Sequence, residues 1–299
     1  MKYFTISIAF FLLITACKKI EVAKPEFTVS YPEKAYKAGD TVNFTLKGNA
    51  QNITFYSGDA GFNYDNISRV SADGTPFLTF STTLINPGEM NTLKVLASNN
   101  FNGNYTATNV QSATWTDITT RAALATSTTA KASGNVDLSD FVTADNKPVY
   151  LAYQYLGYKH ATLKQPRWTF TALGVNNILS DGAIMQLASA TEMGWVAFDF
   201  KNTTTSWALP LTGLNSIDGA AVASVNEDND DWIVSRPLNL KKAKPDVGIV
   251  IQNLGGAKLE RYSYIYTKAG KYHVVFLGFN NSIDDRKEIK SEFTITVNP

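Results

Sequence analysis

The chain has 299 residues and a nearly balanced charge, with 27 lysines and arginines against 26 aspartates and glutamates. This balance excludes a protein that holds nucleic acid on a basic surface, because phosphate backbones are bound mainly by an excess of Lys and Arg. A hydrophobic fraction of 44% and a charged fraction of 18% indicate a globular protein with a real core. One cysteine and two histidines exclude an internal disulfide, a zinc site built on cysteines and a histidine-rich metal site.

The first apolar segment of the chain indicates export. Residues 3–16 are mostly apolar, Lys2 precedes them, and Cys17, the only cysteine, follows them. A positive start and about a dozen apolar residues are typical of a secretory signal, and the segment is shorter than the roughly 20 apolar residues of a membrane-spanning helix. We expect residues 1–16 to be removed as a lipoprotein signal peptide. Cys17 would then carry the lipid and anchor the chain to a membrane.

Residues 17–25 are predicted to be a tether between the lipid and the folded part. They are short, polar and rich in lysine, and they end in Pro25. This composition favours an extended, solvated segment over a packed one. The first predicted strand follows directly after the tether.

Strand patterns dominate the rest of the chain. Apolar residues alternate with polar ones over residues 41–47, 262–267 and 293–297, which predicts half-buried strands with one face in water. Residues 149–155 and 247–251 are apolar on both faces and are typical of inner strands of a packed sandwich. Clusters of Gly, Asn and Asp separate these runs and predict turns.

The predicted class is all-β, with two sandwiches and at most one short helix, in the Ala- and Thr-rich segment 121–132. The strands at the two ends resemble the opening and closing strands of an immunoglobulin-like domain. We therefore predict that residues 26–72 and 241–299 form one split immunoglobulin-like β-sandwich. The middle strands resemble a galactose-binding-like jelly roll, which we place at residues 73–240 as an insertion. Two consecutive domains, with a break between Gly103 and Trp115, are the alternative.

Three stretches carry a resemblance to a known family. They are residues 53–61, which read Ile-Thr-Phe-Tyr-Ser-Gly-Asp-Ala-Gly, and residues 113–118 and 136–141. Together they are similar to Bacteroidetes lipoproteins labelled domain of unknown function 5017. The resemblance implies an exported, lipid-anchored β protein found with glycan-uptake machinery, and it assigns no functional residue. Surface-displayed lipoproteins of such bacteria tend to carry acidic residues after the cysteine. Lys18 and Lys19 therefore leave open which face of the outer membrane the protein occupies.

Two tryptophans are predicted to form a sugar-binding platform. Trp195 follows a Met-Gly pair, and Trp207 follows the polar run 202–206, so each ring would be exposed for stacking against the apolar face of a sugar. The alternative for both is ordinary packing over a sheet. The other three tryptophans lie within strand patterns and are predicted to be core: Trp115, Trp168 and Trp232.

An acidic cluster is the candidate metal site. Asp228, Asp230 and Asp231 lie close together in the chain, and calcium takes six to eight oxygen ligands of the kind that carboxylates supply. The spacing departs from an EF-hand loop, because the sixth position holds no glycine and the twelfth no glutamate. A solvated loop before a strand is the preferred interpretation, so the only cofactor considered is a structural calcium.

The leading functional hypothesis is a non-catalytic outer-membrane lipoprotein whose jelly roll binds polysaccharide or oligosaccharide for an uptake system. It rests on fold and family and not on an identified site. An envelope protein that binds or assembles other proteins is the alternative. A glycosidase is the lesser alternative, since no catalytic motif occurs. Its two-carboxylate chemistry would have to come from Glu192, Asp199 or Glu227.

Overall fold

The computed structural model describes residues 21–89, 91–209, 216–219 and 227–299. Regular structure in these ranges is almost entirely β-strand, which confirms the predicted all-β class. The predicted signal peptide and Cys17 lie outside the described residues.

The described strands are numbered in chain order. They are β1 (Phe27–Ser30), β2 (Tyr36–Lys37), β3 (Thr41–Gly48), β4 (Asn52–Tyr56), β5 (Gly74–Ile85), β6 (Leu93–Ser98), β7 (Thr116–Asp117), β8 (Lys131–Ala132), β9 (Val136–Asp137), β10 (Tyr150–Gly157), β11 (Arg167–Leu179), β12 (Ile184–Ser189), β13 (Val196–Lys201), β14 (Ser216–Asp218), β15 (Asn229–Val234), β16 (Ile249–Gln252), β17 (Arg261–Ile265), β18 (Gly270–Asn281) and β19 (Arg286–Asn298). Short 3₁₀ turns lie at Tyr64–Asn66, Thr119–Arg121, Ser139–Phe141 and Ala190–Glu192.

One short α-helix, α1 (Ala107–Ser112), lies in the described part of the chain. Thr106 caps its first turn, because the Thr106 side chain accepts a hydrogen bond from the backbone N–H of Asn109. The predicted short helix in segment 121–132 does not form, since that segment runs irregularly into β8. Its β-branched threonines disfavour helix. Among the residues that the structure describes, no helix is long and apolar enough to cross a membrane.

The chain forms two compact units, which have separate cores. Unit 1 is made of residues 21–67 together with Asp246–Pro299, and unit 2 is made of Ser68–Pro245. Unit 1 therefore takes strands from both ends of the chain, while the strands of unit 2 are consecutive.

Unit 1 is a sandwich of two sheets. Its three-stranded sheet has the order β1-β3-β17, and its five-stranded sheet has the order β16-β4-β18-β19-β2. The predicted alternation is present in β3, where Val42, Phe44 and Leu46 are buried and the residues between them are exposed. The buried side chains of both sheets meet in one core, in which Phe44 lies against Phe55 and Phe276. This unit is the immunoglobulin-like sandwich of the predicted fold class.

The last residues of the predicted tether contact unit 1. The backbone N–H of Val22 donates to Asp285 Oδ2 at 3.2 Å, and Asn280 Nδ2 donates to the Ala23 carbonyl at 3.1 Å. Pro25 is buried. Over residues 22–25 the chain is therefore docked on unit 1 and is not a free tether.

Unit 2 is a second, larger sandwich. One sheet has the order β13-β15-β10-β6-β7, and the other has the order β12-β11-β5-β8, with β14 also beside β11 and β9 also beside β5. Aromatic rings fill the space between the sheets. Tyr153 of β10 lies 5.5 Å from Phe80 of β5 and 4.5 Å from Phe170 of β11, measured between ring centroids. This unit is the jelly-roll sandwich of the fold class.

The outer face of β10 is also covered, which explains why this strand is apolar on both faces. A smaller cluster contains Tyr150 of β10 with Phe101 and Val110, and Trp115 and Trp232 pack partly buried against it. Because α1 carries Val110, this helix covers one side of the sheet. The prediction that Val149–Tyr155 forms an inner strand is confirmed over Tyr150–Tyr155.

Candidate functional site

Trp207 is buried, so the prediction of an exposed platform at this residue is wrong. Its side chain is 4% exposed and packs 5.7 Å from the ring of Phe170, between centroids. Trp207 Nε1 donates a hydrogen bond to the backbone carbonyl of Asp231 at 3.1 Å. The chain turns back after the polar run, and the indole of Trp207 packs into the core of unit 2 beside Phe170.

Trp195 also packs inward. Its ring is half-buried and lies 5.4 Å from the ring of Tyr153, between centroids. Its Nε1 atom is buried and lacks a hydrogen-bond partner, as does the hydroxyl of Tyr153. The structure therefore brings Trp195 and Trp207 together around Tyr153 in the core and does not form a surface platform from them.

The acidic residues of the predicted metal site are separated. Asp228 accepts a hydrogen bond from the backbone of Lys159 and pairs with Lys201 at 3.6 Å. Asp230 accepts from Gln154 Nε2 and Trp232 Nε1, while Asp231 is fully buried on the other face of β15. The division follows from the alternation of side chains along a strand.

Asp228, Asp230 and Asp231 therefore do not converge on one calcium ion, the candidate role for this cluster. The preferred interpretation, a solvated loop before a strand, fits only Asp228, because Asp230 and Asp231 lie within β15 and Asp231 is fully buried. Within the described ranges, no group of three or more His, Cys, Asp or Glu side chains is placed to hold a metal ion.

Asp231 instead faces Asp199 of the neighbouring strand. The two residues are opposite each other in the antiparallel pairing of β13 with β15, next to a β-bulge between Asp199 and Lys201. Directly opposite residues of antiparallel strands have Cβ atoms about 4.5–5.5 Å apart, so the two carboxyl groups are neighbours. Burial, and then the charge of Asp199, raises the pKa of Asp231 to about 8. The arrangement can share a proton or a cation.

More polar atoms without partners lie in the same part of unit 2. They are Asn202 Nδ2, Thr205 Oγ1 and Asn229 Oδ1, and the side chains of Thr205 and Asn229 are 3% and 2% exposed. Asn229 faces the same side of β15 as Asp231, two residues away. Thr205 lies on the segment that Trp207 holds against Asp231. Because buried polar groups in proteins are nearly always hydrogen-bonded, such a group of unpartnered atoms calls for an explanation.

A pocket of about 220 Å³ lies elsewhere in unit 2, where β5 ends and β6 begins. Its apolar wall includes Leu84, Leu93 and Trp168. Trp168 is 4% exposed, in agreement with its predicted core position, and its Nε1 donates to Thr92 Oγ1 at 3.0 Å. The pocket therefore combines apolar surface with a few fixed polar groups, which is typical of small-molecule sites.

Glu89 is the acidic residue of this pocket. Its Oε2 accepts a hydrogen bond from the backbone N–H of Tyr158 at 3.1 Å, while its Oε1 is buried and lacks a partner. The sequence reasoning missed Glu89, because a single glutamate after the Pro87-Gly88 turn carries no motif. The turn itself, placed between two strand patterns, was the one available signal.

A second groove of about 480 Å³ lies on unit 1 and is lined by residues such as Tyr31, Lys34 and Thr296. In the described part of the chain, none of its lining side chains has a buried polar atom without a partner. It therefore lacks the chemical feature that distinguishes the pocket of unit 2.

A known family matches more than half of the chain. The family described as "Domain of unknown function (DUF5017)" matches residues 16–195, which include Cys17 and every residue of the pocket in unit 2. No curated protein matches the chain.

Proposed function

The chain belongs to the DUF5017 family, and from this premise we propose that it is a lipid-anchored, non-catalytic protein of the outer membrane that binds glycan in the pocket of unit 2. The ligand would be a polysaccharide or oligosaccharide destined for uptake. The anchor would be the lipid on Cys17.

The observation that carries this proposal is Glu89, a lining residue of the pocket whose carboxylate has one oxygen without a hydrogen-bond partner. A sugar offers hydroxyl donors and apolar ring faces on one molecule. Glu89 Oε1 would accept a hydroxyl hydrogen, and the wall around Trp168 and Leu93 would cover apolar carbons. A hydrogen bond to a charged group contributes about 1.5–3 kcal/mol, whereas leaving such a group buried and unpaired costs energy. The pocket thus favours a hydroxyl-bearing ligand over a purely apolar one.

The same pocket supports a binding role over a catalytic one. Glycoside hydrolysis needs two carboxyl groups about 5–10 Å apart, and among the described residues that line the pocket Glu89 is the only acidic one. Asp199 and Asp231 are paired across β13 and β15 and are not among the described residues that line the pocket. Glu192 accepts hydrogen bonds from Ser189 as the cap of a 3₁₀ turn. None of these three carboxylates is among the described residues that line the pocket.

The test of glycan binding compares three forms of the mature chain, residues 17–299, all carrying Cys17→Ser so that they are free of lipid. We expect the parent to bind at least one polysaccharide on a glycan array. Glu89→Gln should weaken that binding tenfold or more, since loss of about 1.4 kcal/mol is tenfold in affinity. The control Glu260→Gln changes an exposed glutamate of unit 1 and should bind like the parent.

Two results would overturn the glycan proposal. One is the absence of binding to every polysaccharide on the array while an envelope protein co-purifies with the chain, which would favour the protein-binding alternative. The other is unchanged affinity in Glu89→Gln, which would move the ligand away from the pocket.

The lipid anchor has its own test. In a bacterial host that processes lipoproteins, we expect the full chain to incorporate labelled fatty acid and to sediment with membranes. Cys17→Ser should lose the label, because the thiol that forms the thioether is gone. Lys18→Ala serves as the control and should keep it. Labelling of Cys17→Ser would contradict the anchor, and protease treatment of intact cells would report the face of the membrane.

A further inference from the structure

Asp199 and Asp231 form a carboxylate pair across the strands β13 and β15 of unit 2. Among the residues that the structure describes, no Lys, Arg or His side chain forms an ion pair with Asp199 or Asp231. The nearby Lys201 pairs with Asp228. The charged and titratable groups that act on Asp231 are Asp199 and Asp230, and Tyr155 lies beside Asp231 on β10. A fully buried carboxylate, Asp231, therefore lies opposite a half-buried one, Asp199, with no cation beside them in the described part of the chain. Proteins avoid such an arrangement unless a proton or a cation intervenes.

A shared proton would account for only part of the site. One proton between Asp199 and Asp231 satisfies one oxygen of each residue. It leaves the second oxygen of Asp231 unpartnered, together with the hydroxyl oxygen of Thr205 and the amide oxygen of Asn229. These last two atoms belong to neutral side chains that are at least nine-tenths buried. They are an observation independent of the acidic pair.

A hard cation would give each of these oxygens a partner. Calcium takes six to eight oxygen ligands, from carboxylates, amide or hydroxyl oxygens, backbone carbonyls and water, in a flexible geometry. Asp199, Asp231, Thr205 and Asn229 supply up to five unpartnered side-chain oxygens. The proposed ligands include no His or Cys, which disfavours zinc and copper. Magnesium is also disfavoured, because it gives up its water ligands reluctantly and is rarely held by protein oxygens alone.

We propose that Asp199 and Asp231, with the oxygens of Thr205 and Asn229, form a calcium-binding site at the β-bulge between β13 and β15. Bound calcium would tie the edge strand β13 to β15 and to the segment that carries Thr205 and Trp207. This site is separate from the glycan pocket, so the failure of either proposal leaves the other standing.

The test uses the mature chain carrying Cys17→Ser, first freed of metal with a chelator. Calcium chloride at about 10 mM exceeds the Kd range of weak extracellular sites. We expect it to raise the melting temperature by several degrees, and calorimetry should show one binding site. Asp199→Asn should weaken calcium binding at least tenfold. Asp230→Asn changes the acidic residue on the opposite face of β15 and should leave calcium affinity unchanged.

A second variant keeps the test decisive if Asp199→Asn fails to fold. Thr205→Val keeps the shape of the side chain and removes only the oxygen, so it should also weaken calcium binding. A melting temperature unchanged by calcium, together with a higher melting temperature in Asp231→Asn, would show a shared proton and overturn the proposal. Equal calcium affinity in the parent, Asp199→Asn and Thr205→Val would overturn it as well.

Discussion

Replacing Phe276 by alanine is expected to lower the free energy of unfolding of unit 1 by about 3–5 kcal/mol. Phe276 is fully buried in β18. Its ring centroid lies 4.9 Å from that of Phe44 and 4.8 Å from that of Phe55, so it connects the two sheets of the sandwich. Truncation removes both the transfer free energy of a large apolar side chain and its contacts with two rings, and the surrounding strands cannot collapse into the space.

Urea denaturation followed by circular dichroism measures this change. Tryptophan fluorescence serves as a separate signal, because all five tryptophans lie within residues 68–245 and report on unit 2 alone. Phe276→Leu keeps most of the apolar volume and should cost clearly less than the alanine variant. Ile283→Ala removes an apolar side chain of unit 1 that is 93% exposed and should have almost no effect. A loss under about 1 kcal/mol for Phe276→Ala would contradict this description of the core.

Gly48→Ala is expected to destabilise unit 1 by about 2–5 kcal/mol, from left-handed strain of about 1–2 and overpacking of about 1–3. Gly48 ends β3 with a φ of +128°, a conformation that side chains with a Cβ rarely adopt. A Cβ at this position would overlap the carbonyl oxygen of Glu26 and lie 2.8 Å from the Cα of Phe27. Since both neighbours are backbone, relief requires separation of β1 from β3, where Phe27 pairs with Gly48.

Gly39→Ala is the matched control for this prediction. Gly39 also has a positive φ, of +92°, but a Cβ there would meet no atom within 4 Å. It should show only the conformational cost, about 1–2 kcal/mol. The difference between the two variants, measured by urea denaturation, isolates the steric clash at the junction of β1 and β3. Equal losses in both variants would show that β1 yields to the added methyl group.

The strands were predictable wherever burial follows a local pattern. In β3 the alternation of Val42, Phe44 and Leu46 with polar residues predicted which face is buried, and the same holds for Ile295 and Val297 in β19. Alternation is a property of consecutive residues, because successive side chains of a strand point to opposite faces. It needs no knowledge of the partner strand.

The burial of Trp207 was not predictable from its neighbours in the sequence. A polar run before Trp207 indicated an exposed loop, but the run turns back and places the indole over Phe170 in the interior. The local sequence describes the polarity of a segment and not the direction in which it returns. Trp168, which lies inside a strand pattern, was correctly predicted to be buried because its own strand determines its face.

The sequence by itself determined the all-β class, because the repeated two-residue period and the turn residues are encoded locally. Only the tertiary structure decided that Asp231 faces Asp199 and not Asp228 or Asp230. That pairing depends on the register of β13 with β15 and on the bulge beside it. The tertiary structure also decided that Glu89 and Trp168 line the same pocket. Contacts between strands distant in the chain follow from register and packing, and a single strand does not specify either.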